Sequence, residues 1–253
     1  MLWSGPLSVR RADDGGFSVT NHLSPVLAPE LANPFFRLPS ATARRVQFRI
    51  GAYALLVNGV LAGVGYLVWP TLLLLWPLAA GLTLTVVAPF FDVPSLVRRG
   101  ELVYYSPFLL AERPRQGRLK LHGGTLFDYY FSLDRQQGPG RRVQAVLAGY
   151  LRGLDALIEN QPDELVVEGT SYIVGPRTAA RLGFTRRPTR PGQYLILLFN
   201  VLNLSCSLRL LRGRWMLPNL RRVRTYEARV GALRARQDFL LSLLRRLEGK
   251  GRD

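Results

Sequence analysis

The sequence from residue 50 to residue 91 reads IGAYALLVNGVLAGVGYLVWPTLLLLWPLAAGLTLTVVAPFF, a run of 42 residues without a charged side chain. A helix needs about 20 apolar residues to cross the hydrocarbon core of a bilayer, so this run is long enough for two crossings. Trp69-Pro70 divides the run, because proline lacks a backbone donor and disfavours helical geometry in the residue before it. The pattern predicts a two-helix transmembrane hairpin within residues 47–92, with helices from about Phe48 to Val68 and from Thr71 to Phe90.

Arginines flank this run on both sides. Arg44, Arg45 and Arg49 precede it, Arg98 and Arg99 follow it, and the connection between the two helices carries no charge. Cytoplasmic flanks of membrane helices are enriched in Lys and Arg. We therefore expect an integral membrane protein with both its N- and C-termini in the cytoplasm. The alternative is a hairpin buried in a large soluble core.

The rest of the chain is strongly basic. The net charge is +17, and from Arg98 onward 28 basic residues stand against 13 acidic ones, which leaves +15 after the apolar run. Such a positive field suits an anionic partner, namely a membrane surface, a nucleic acid or a phosphorylated ligand. The sequence argues against nucleic acid, because the aromatic residues follow apolar strand or helix patterns and do not alternate with the arginines. One cysteine and two histidines argue against a zinc site of the usual kinds, and no metal is predicted.

Four regions follow from these patterns. Residues 1–46 are rich in Pro, Gly, Ser and Asn and predict an extended or disordered N-terminal arm, residues 47–92 form the transmembrane helical hairpin, residues 98–190 form a cytoplasmic α/β domain, and residues 191–253 form an apolar interfacial helix plus a basic C-terminal helix. The fold class is a membrane-anchored α+β or α/β protein, with a hairpin followed by a small mixed β-sheet domain and C-terminal helices.

The cytoplasmic domain is predicted to follow the order β-β-α-β-α. After a short strand at residues 102–105, strands at 118–122 and 125–133 are joined by Gly123-Gly124, a pair that favours a tight hairpin turn. An amphipathic helix follows at 140–160, then a strand at 164–173 and a short helix between Gly175-Pro176 and Gly183. One βαβ unit in this order predicts a parallel crossover.

The C-terminal region contains two helix-like stretches. Residues 191–208 are free of charge but have arginine clusters on both sides, which favours a helix lying in the membrane interface or on the hairpin, with a third span as the alternative. The last helix is predicted from Thr225 to Leu247. Within residues 226–247 apolar positions repeat with heptad spacing, so this seam either pairs two copies of the chain or packs on its own domain.

A candidate phosphate-binding site lies at the start of the amphipathic helix. The segment Arg135-Gln136-Gln137-Gly138-Pro139-Gly140 is followed by Arg141 and Arg142. Glycines permit close approach of a phosphate to the backbone, and a helix N-terminus offers free N–H groups with a partial positive charge. The candidate ligand-binding residues are Arg135, Gly138, Gly140 and Arg141. An ordinary turn that begins a helix is the competing interpretation.

The same segment resembles the acyl-CoA-binding motif of the GCN5-related N-acetyltransferases, which reads Arg or Gln, two residues, Gly, any residue, then Gly or Ala. The resemblance covers about residues 118–184 and implies binding of the CoA pyrophosphate by this motif. Pro139 removes one N–H of the family pattern, and Ala179 stands where the family has its general-acid tyrosine.

These observations leave one preferred function and one alternative. We expect a non-catalytic integral membrane protein whose basic domain binds anionic lipid headgroups or a partner subunit, without a cofactor. The alternative is a membrane-bound acyltransferase, similar to an acetyltransferase, that uses an acyl-CoA or a similar phosphate-bearing donor. Whether the protein is an enzyme stays open at this point.

Overall fold

The computed structural model describes residues 33–68, 70–171, 173–189 and 191–249. The architecture is α+β, with helices on both faces of a six-stranded mixed sheet. The α-helices are α1 (Ser40–Val68), α2 (Trp76–Val87), α3 (Pro89–Arg98), α4 (Leu126–Ser132), α5 (Pro139–Asn160), α6 (Pro176–Arg181), α7 (Pro191–Phe199), α8 (Val201–Arg212), α9 (Val230–Arg234) and α10 (Gln237–Gly249). The strands are β1 (Leu102–Ser106), β2 (Leu109–Glu112), β3 (Arg118–Gly123), β4 (Val166–Ser171), β5 (Thr185–Arg187) and β6 (Arg224–Arg229).

The sheet has the strand order β1-β2-β3-β4-β6-β5. Only β3 and β4 run parallel, with Leu119 opposite Val167, and the other neighbours are antiparallel. The parallel crossover was predicted, but its first strand is β3 and not residues 125–133. Its connection contains α4 and α5, because parallel neighbours need a long crossover whereas antiparallel ones need only a turn.

The described residues form three hydrophobic clusters, and the two larger ones lie on opposite faces of the sheet. On one face of the sheet, α5, α9 and α10 bury Leu157, Val230 and Leu240 against strand residues such as Val167. On the other face, α3 and α4 cover only the β1–β2 end, where Phe127 is fully buried. The face formed by β3, β4, β6 and β5 beyond this cover carries mostly polar side chains.

The predicted strand at residues 125–133, and with it the hairpin turn at Gly123-Gly124, is wrong. Residues 126–132 form α4, because Thr125 and Asp128 make a capping arrangement in which the Asp128 carboxylate accepts hydrogen bonds from the Thr125 backbone N–H (2.7 Å) and hydroxyl (2.9 Å). Four successive residues, Leu126 to Tyr129, are buried, which a two-residue strand period does not produce.

The order β-β-α-β-α also omits β2, β5 and β6. The strand β2 follows a tight turn in which the Ser106 hydroxyl accepts hydrogen bonds from the backbone N–H groups of Phe108 and Leu109. The prediction that the last helix begins at Thr225 is wrong for residues 225–229. They form β6, which is held between β4 and β5, so pairing on both sides outweighs the helical spacing of the apolar residues. The heptad seam is therefore not one helix, and pairing of two copies through it stays a prediction.

The N-terminal region is helical where the structure describes it. Residues 1–32 of the predicted arm lie outside the described residues, whereas Pro34–Arg37 form a 3-10 helix and α1 begins at Ser40. Phe35 is buried against Phe127, and this contact fixes the chain to the domain just before α1. The second predicted membrane helix is divided into a 3-10 helix (Pro70–Leu75) and α2, because Pro77 lies in the first turn of α2.

Candidate functional site

The helix α1 and the segment formed by the 3-10 helix and α2 pack side by side in opposite directions. Near the start of α1, the Gln47 side-chain amide donates a hydrogen bond to the backbone oxygen of Phe90 (2.8 Å). Further along α1, the Trp76 indole N–H donates to the backbone oxygen of Asn58 (3.3 Å). The first contact joins α1 to Phe90, just beyond the end of α2, and the second joins α1 to Trp76 at the start of α2, so α1 and α2 form an antiparallel hairpin.

Most large apolar side chains that are exposed lie on this hairpin and on the helix next to it. Apart from Tyr130, every exposed large apolar residue in the described part of the chain falls within residues 48–91 or 173–217. Leu67 and Leu74 are each 82% exposed. Contiguous apolar surface of this extent marks a membrane or protein interaction site.

One helix of the described residues, α1, is long and apolar enough to cross a membrane. Two bent pairs also satisfy the length and composition criteria if each pair counts as one span. They are Leu73–Val87 with Pro89–Arg98, bent by 47°, and Gly192–Phe199 with Val201–Arg212, bent by 60°. The described residues thus contain between one and three candidate spans.

The bent pair α7–α8 touches both the hairpin and the domain. At the bend, the Phe199 ring lies near Gly81 of α2, and the Asn203 side-chain amide donates a hydrogen bond to the Thr85 backbone oxygen (2.8 Å). The start of α7 is joined to β6, because the Gln193 side-chain oxygen accepts a hydrogen bond from the Thr225 hydroxyl (3.1 Å). Both outer ends of the pair therefore lie at the domain, and the bend lies against α2.

Arginines surround the domain side of the hairpin. Arg44, Arg45 and Arg49 line a surface depression on the first turns of α1, together with Phe48. At the end of α8, the Arg142 guanidinium from α5 donates a hydrogen bond to the Leu210 backbone oxygen. This contact brings the arginines of the α5 N-terminus next to those at the end of α8.

The predicted phosphate-binding residues are all exposed, at the α5 N-terminus. Gly138 is the N-cap of α5, Gly140 and Arg141 lie in its first turn, and no atom lies within 4 Å of a Cβ placed on either glycine. The Arg135 guanidinium lies over the Tyr130 ring, 4.4 Å from its centroid. The segment before the motif is the helix α4, not the strand predicted at residues 125–133. The structure thus gives this site a helix N-terminus and positive charge, but the described residues form no wall around a ligand.

Ion pairs connect the charged residues on the open face of the sheet. The Glu227 carboxylate binds Arg187 (2.8 Å) and Arg118 (3.0 Å), and the hydrogen bond from Arg187 holds the pKa of Glu227 below its ordinary value. The Glu112 carboxylate lies 3.7 Å from the Lys120 ammonium and 2.9 Å from the His122 ring. Each of these carboxylates has a cationic partner, so the face is an ion-pair network. Among the described residues no group of three or more His, Cys, Asp or Glu side chains is placed to hold a metal ion.

Sequence reasoning did not single out two exposed apolar residues, Trp215 and Leu217, in the connection that follows α8. A signal for them exists in the sequence. From Gly169 to Tyr226 the chain has 58 residues without one acidic side chain, and this stretch contains 11 arginines. Apolar residues in so basic a segment are typical of a surface that meets an anionic membrane.

No protein-family model, curated protein or solved structure matches this chain.

Proposed function

We propose that this protein is an integral membrane protein, anchored by the α1–α2 hairpin, whose basic domain binds anionic lipid headgroups at the cytoplasmic surface without catalysis. The observation that carries the proposal is the separation of surfaces. The exposed large apolar side chains are concentrated on the hairpin and on the segment that includes α7, while arginines lie at the domain side of both. A bilayer has this layering of an apolar core and an anionic surface.

The lengths of the two hairpin arms support two crossings. Residues 50–68, the uncharged part of α1, measure about 28 Å at the α-helical rise, which is close to the thickness of about 30 Å of a hydrocarbon core. The returning arm consists of six residues in a 3-10 helix and twelve in α2. At their respective rises, these residues also cover about 30 Å. Both arms therefore fit one bilayer.

The arginine flanks support a cytoplasmic domain. The contact between Gln47 and Phe90 places the third turn of α1 and the start of α3 at the same level. The residues near Gln47 in the sequence include Arg44, Arg45 and Arg49. The residues that follow Phe90 include Arg98 and Arg99. Since basic flanks stay in the cytoplasm, this end of the hairpin and both chain termini belong there under the proposal.

The bent pair α7–α8 fits a position against the hairpin better than a third span. Arg186 and Arg187 precede it, Arg209 and Arg212 lie near its end, and both outer ends contact the domain. A single crossing would move one arginine cluster to the far side, against the positive-inside bias. With its bend against α2, the pair keeps all four arginines on the cytoplasmic side.

Accessibility of single cysteines to a membrane-impermeant maleimide tests the hairpin. In a Cys206→Ala background, Thr71→Cys places a thiol at the exposed turn between the two arms, and Gln137→Cys places the matched control on the exposed surface of the domain. We expect Thr71→Cys to react in intact cells and Gln137→Cys to react only after permeabilisation. Labelling of Thr71→Cys only after permeabilisation contradicts the crossing.

Thermal unfolding in detergent tests the lipid contact. We expect phosphatidylglycerol to stabilise the protein more than phosphatidylcholine, and this difference to shrink as salt rises, because the exposed arginines are screened. A stabilisation that is equal for the two lipids contradicts headgroup binding. Binding to a partner subunit, the other form of the non-catalytic function, predicts a co-purifying protein instead.

A further inference from the structure

The connection from α8 to the 3-10 helix at Leu220–Arg222 is an extended segment with an alternating side-chain pattern. Its residues 213–219 read GRWMLPN. Trp215 is 66% exposed and Leu217 is 79% exposed, whereas Met216 is half-buried and Pro218 is buried. Met216 and Pro218 thus alternate with the two exposed side chains. The segment, here named the 213–219 loop, therefore presents its largest apolar side chains outward.

The position of the loop is set by the helices that it joins. The helix α8 begins on the membrane hairpin, where Asn203 binds the Thr85 backbone oxygen, and nine residues of helix carry the chain about 14 Å from there to Arg212. Gly213 then lies against the Pro139 ring and the Arg142 guanidinium at the start of α5. The 3-10 helix after the loop packs near α7. The loop thus runs along the side of the domain that carries α7.

The neighbouring helix α7 adds apolar surface of the same kind. Leu195, Ile196 and Leu198 are each more than half exposed. An aromatic residue and aliphatic residues that emerge from one side of a basic domain match the interface of a bilayer, where indole rings are favoured. A nucleic acid offers no apolar phase for leucine side chains.

The charges around the loop complement an anionic surface. Arg212 and Arg214 come before Trp215 in the chain, and Arg221 and Arg222 come after the loop. All four side chains are exposed. They lie within the acid-free stretch of 58 residues, so no acidic residue nearby in sequence neutralises them. Arginine close to a membrane surface gains from anionic lipids, and apolar side chains gain from burial in the acyl boundary.

We propose that the 213–219 loop is a second, shallow membrane attachment, in which Trp215 and Leu217 enter the interfacial layer of the anionic leaflet and the four arginines bind its headgroups. This inference rests on the proposed function, since it needs the domain to be held at a membrane by the hairpin. The loop and the hairpin together fix how the domain is oriented on the bilayer.

Fluorescence quenching by brominated lipids tests the proposal in the full-length protein. The chain has four tryptophans, Trp3, Trp69, Trp76 and Trp215. One variant keeps only Trp215, and the matched control keeps only Trp76 on the hairpin, with the other three replaced by Phe in each case. Both are reconstituted into vesicles of phosphatidylcholine and phosphatidylglycerol whose acyl chains carry bromine either near the headgroup or near the chain end.

We expect Trp215 to be quenched more by bromine near the headgroup than by bromine near the chain end, and to be protected from aqueous acrylamide. If lipid bromine quenches Trp76 but does not quench Trp215, the loop proposal is overturned and the hairpin proposal is retained. Absence of quenching for both tryptophans overturns the hairpin and the loop together.

A charge variant separates headgroup binding from apolar insertion. In the Trp215-only protein, Gln replaces Arg212, Arg214, Arg221 and Arg222. This change should reduce the quenching of Trp215 by bromine near the headgroup in vesicles that contain phosphatidylglycerol. The same four substitutions in the Trp76-only control should leave the quenching of Trp76 unchanged. Unaltered quenching of Trp215 contradicts the role given to the arginines.

Discussion

The side-chain amide of Asn33 donates a hydrogen bond of 2.9 Å to Oδ1 of Asp128, which lies 95 residues further along the chain. The same oxygen accepts a hydrogen bond from the Tyr104 hydroxyl, and Oδ2 accepts two from Thr125. Burial raises the pKa of Asp128, and these hydrogen bonds act against that rise. One buried carboxyl group therefore joins the chain before α1, the strand β1 and the start of α4.

Removal of this carboxyl group should weaken the whole domain. Asp128→Ala leaves the buried donors of Asn33 and Tyr104 without their acceptor, and each unsatisfied group costs on the order of 1–3 kcal/mol, so we expect a loss of about 3 kcal/mol or more. Denaturant unfolding in detergent measures the change. The matched control is Glu159→Ala at an exposed position on α5, for which a change within about 0.5 kcal/mol is expected. Equal stability of the two variants contradicts the structural role of Asp128.

The ion pairs of Glu227 predict a dependence of stability on pH. Its pKa is lowered in the folded protein, so the stabilisation is complete above the ordinary glutamate pKa and is lost as the pH falls through the folded value. Glu227→Gln should therefore lower stability at neutral pH, by about 1 kcal/mol or less because both arginine partners are half exposed, and should match the unaltered protein in acid. Thermal unfolding at several pH values measures this effect. A difference that persists in acid, or one equal to that of the exposed Glu164→Gln control, argues against it.

Two glycines predict opposite responses to alanine. Gly183 has a φ of +97°, and a Cβ there would lie 2.8 Å from the Ala232 backbone oxygen. Gly183→Ala should therefore cost about 2 kcal/mol or more, from the left-handed conformation and the clash. Gly140, in the first turn of α5, has no atom within 4 Å of the Cβ position, so Gly140→Ala should be neutral or slightly stabilising. Thermal unfolding compares the two, and similar values for both would contradict the geometry at Gly183.

The acyltransferase alternative makes a separate prediction about ligand binding. A ligand at about 100 times its dissociation constant stabilises a protein by roughly 2.7 kcal/mol. Because Gly138, Gly140 and Arg141 are exposed, we expect the shift in unfolding temperature caused by acetyl-CoA to be much smaller than such a stabilisation would produce. A large shift that Gly138→Asp abolishes would instead favour the alternative, since an aspartate there repels phosphate.

Local signals predicted the parts of the fold that depend on one segment alone. The helix α5 was expected from the spacing of its apolar residues, and the short helix α6 from Pro176 at its start and Gly183 after its end. Both signals act within a few turns of chain. The strand predicted at residues 125–133 is wrong because the Thr125–Asp128 cap outweighs the strand propensity of the aromatic residues.

These local signals do not predict pairing between segments that are distant in the sequence. Tyr226 has helical spacing to Val230 and Leu233, but residues 224–229 form a strand because they pair with β4 and β5 on either side. The exposure of Trp215 and Leu217, next to the half-buried Met216 and the buried Pro218, likewise depends on the folded chain. The positions of Arg135, Gly138, Gly140 and Arg141 at a helix start were predicted, while the absence of a wall around them depends on tertiary packing.

The position of β6 inside the sheet has a consequence for biosynthesis. Because β6 lies between β4 and β5, the sheet remains in two separate pieces until the ribosome has released residue 229. The hairpin segment, at residues 50–91, leaves the ribosome well before that point. In the proposed topology the anchor therefore enters the bilayer while the domain is still open, and sheet closure takes place on a chain already tethered to the membrane.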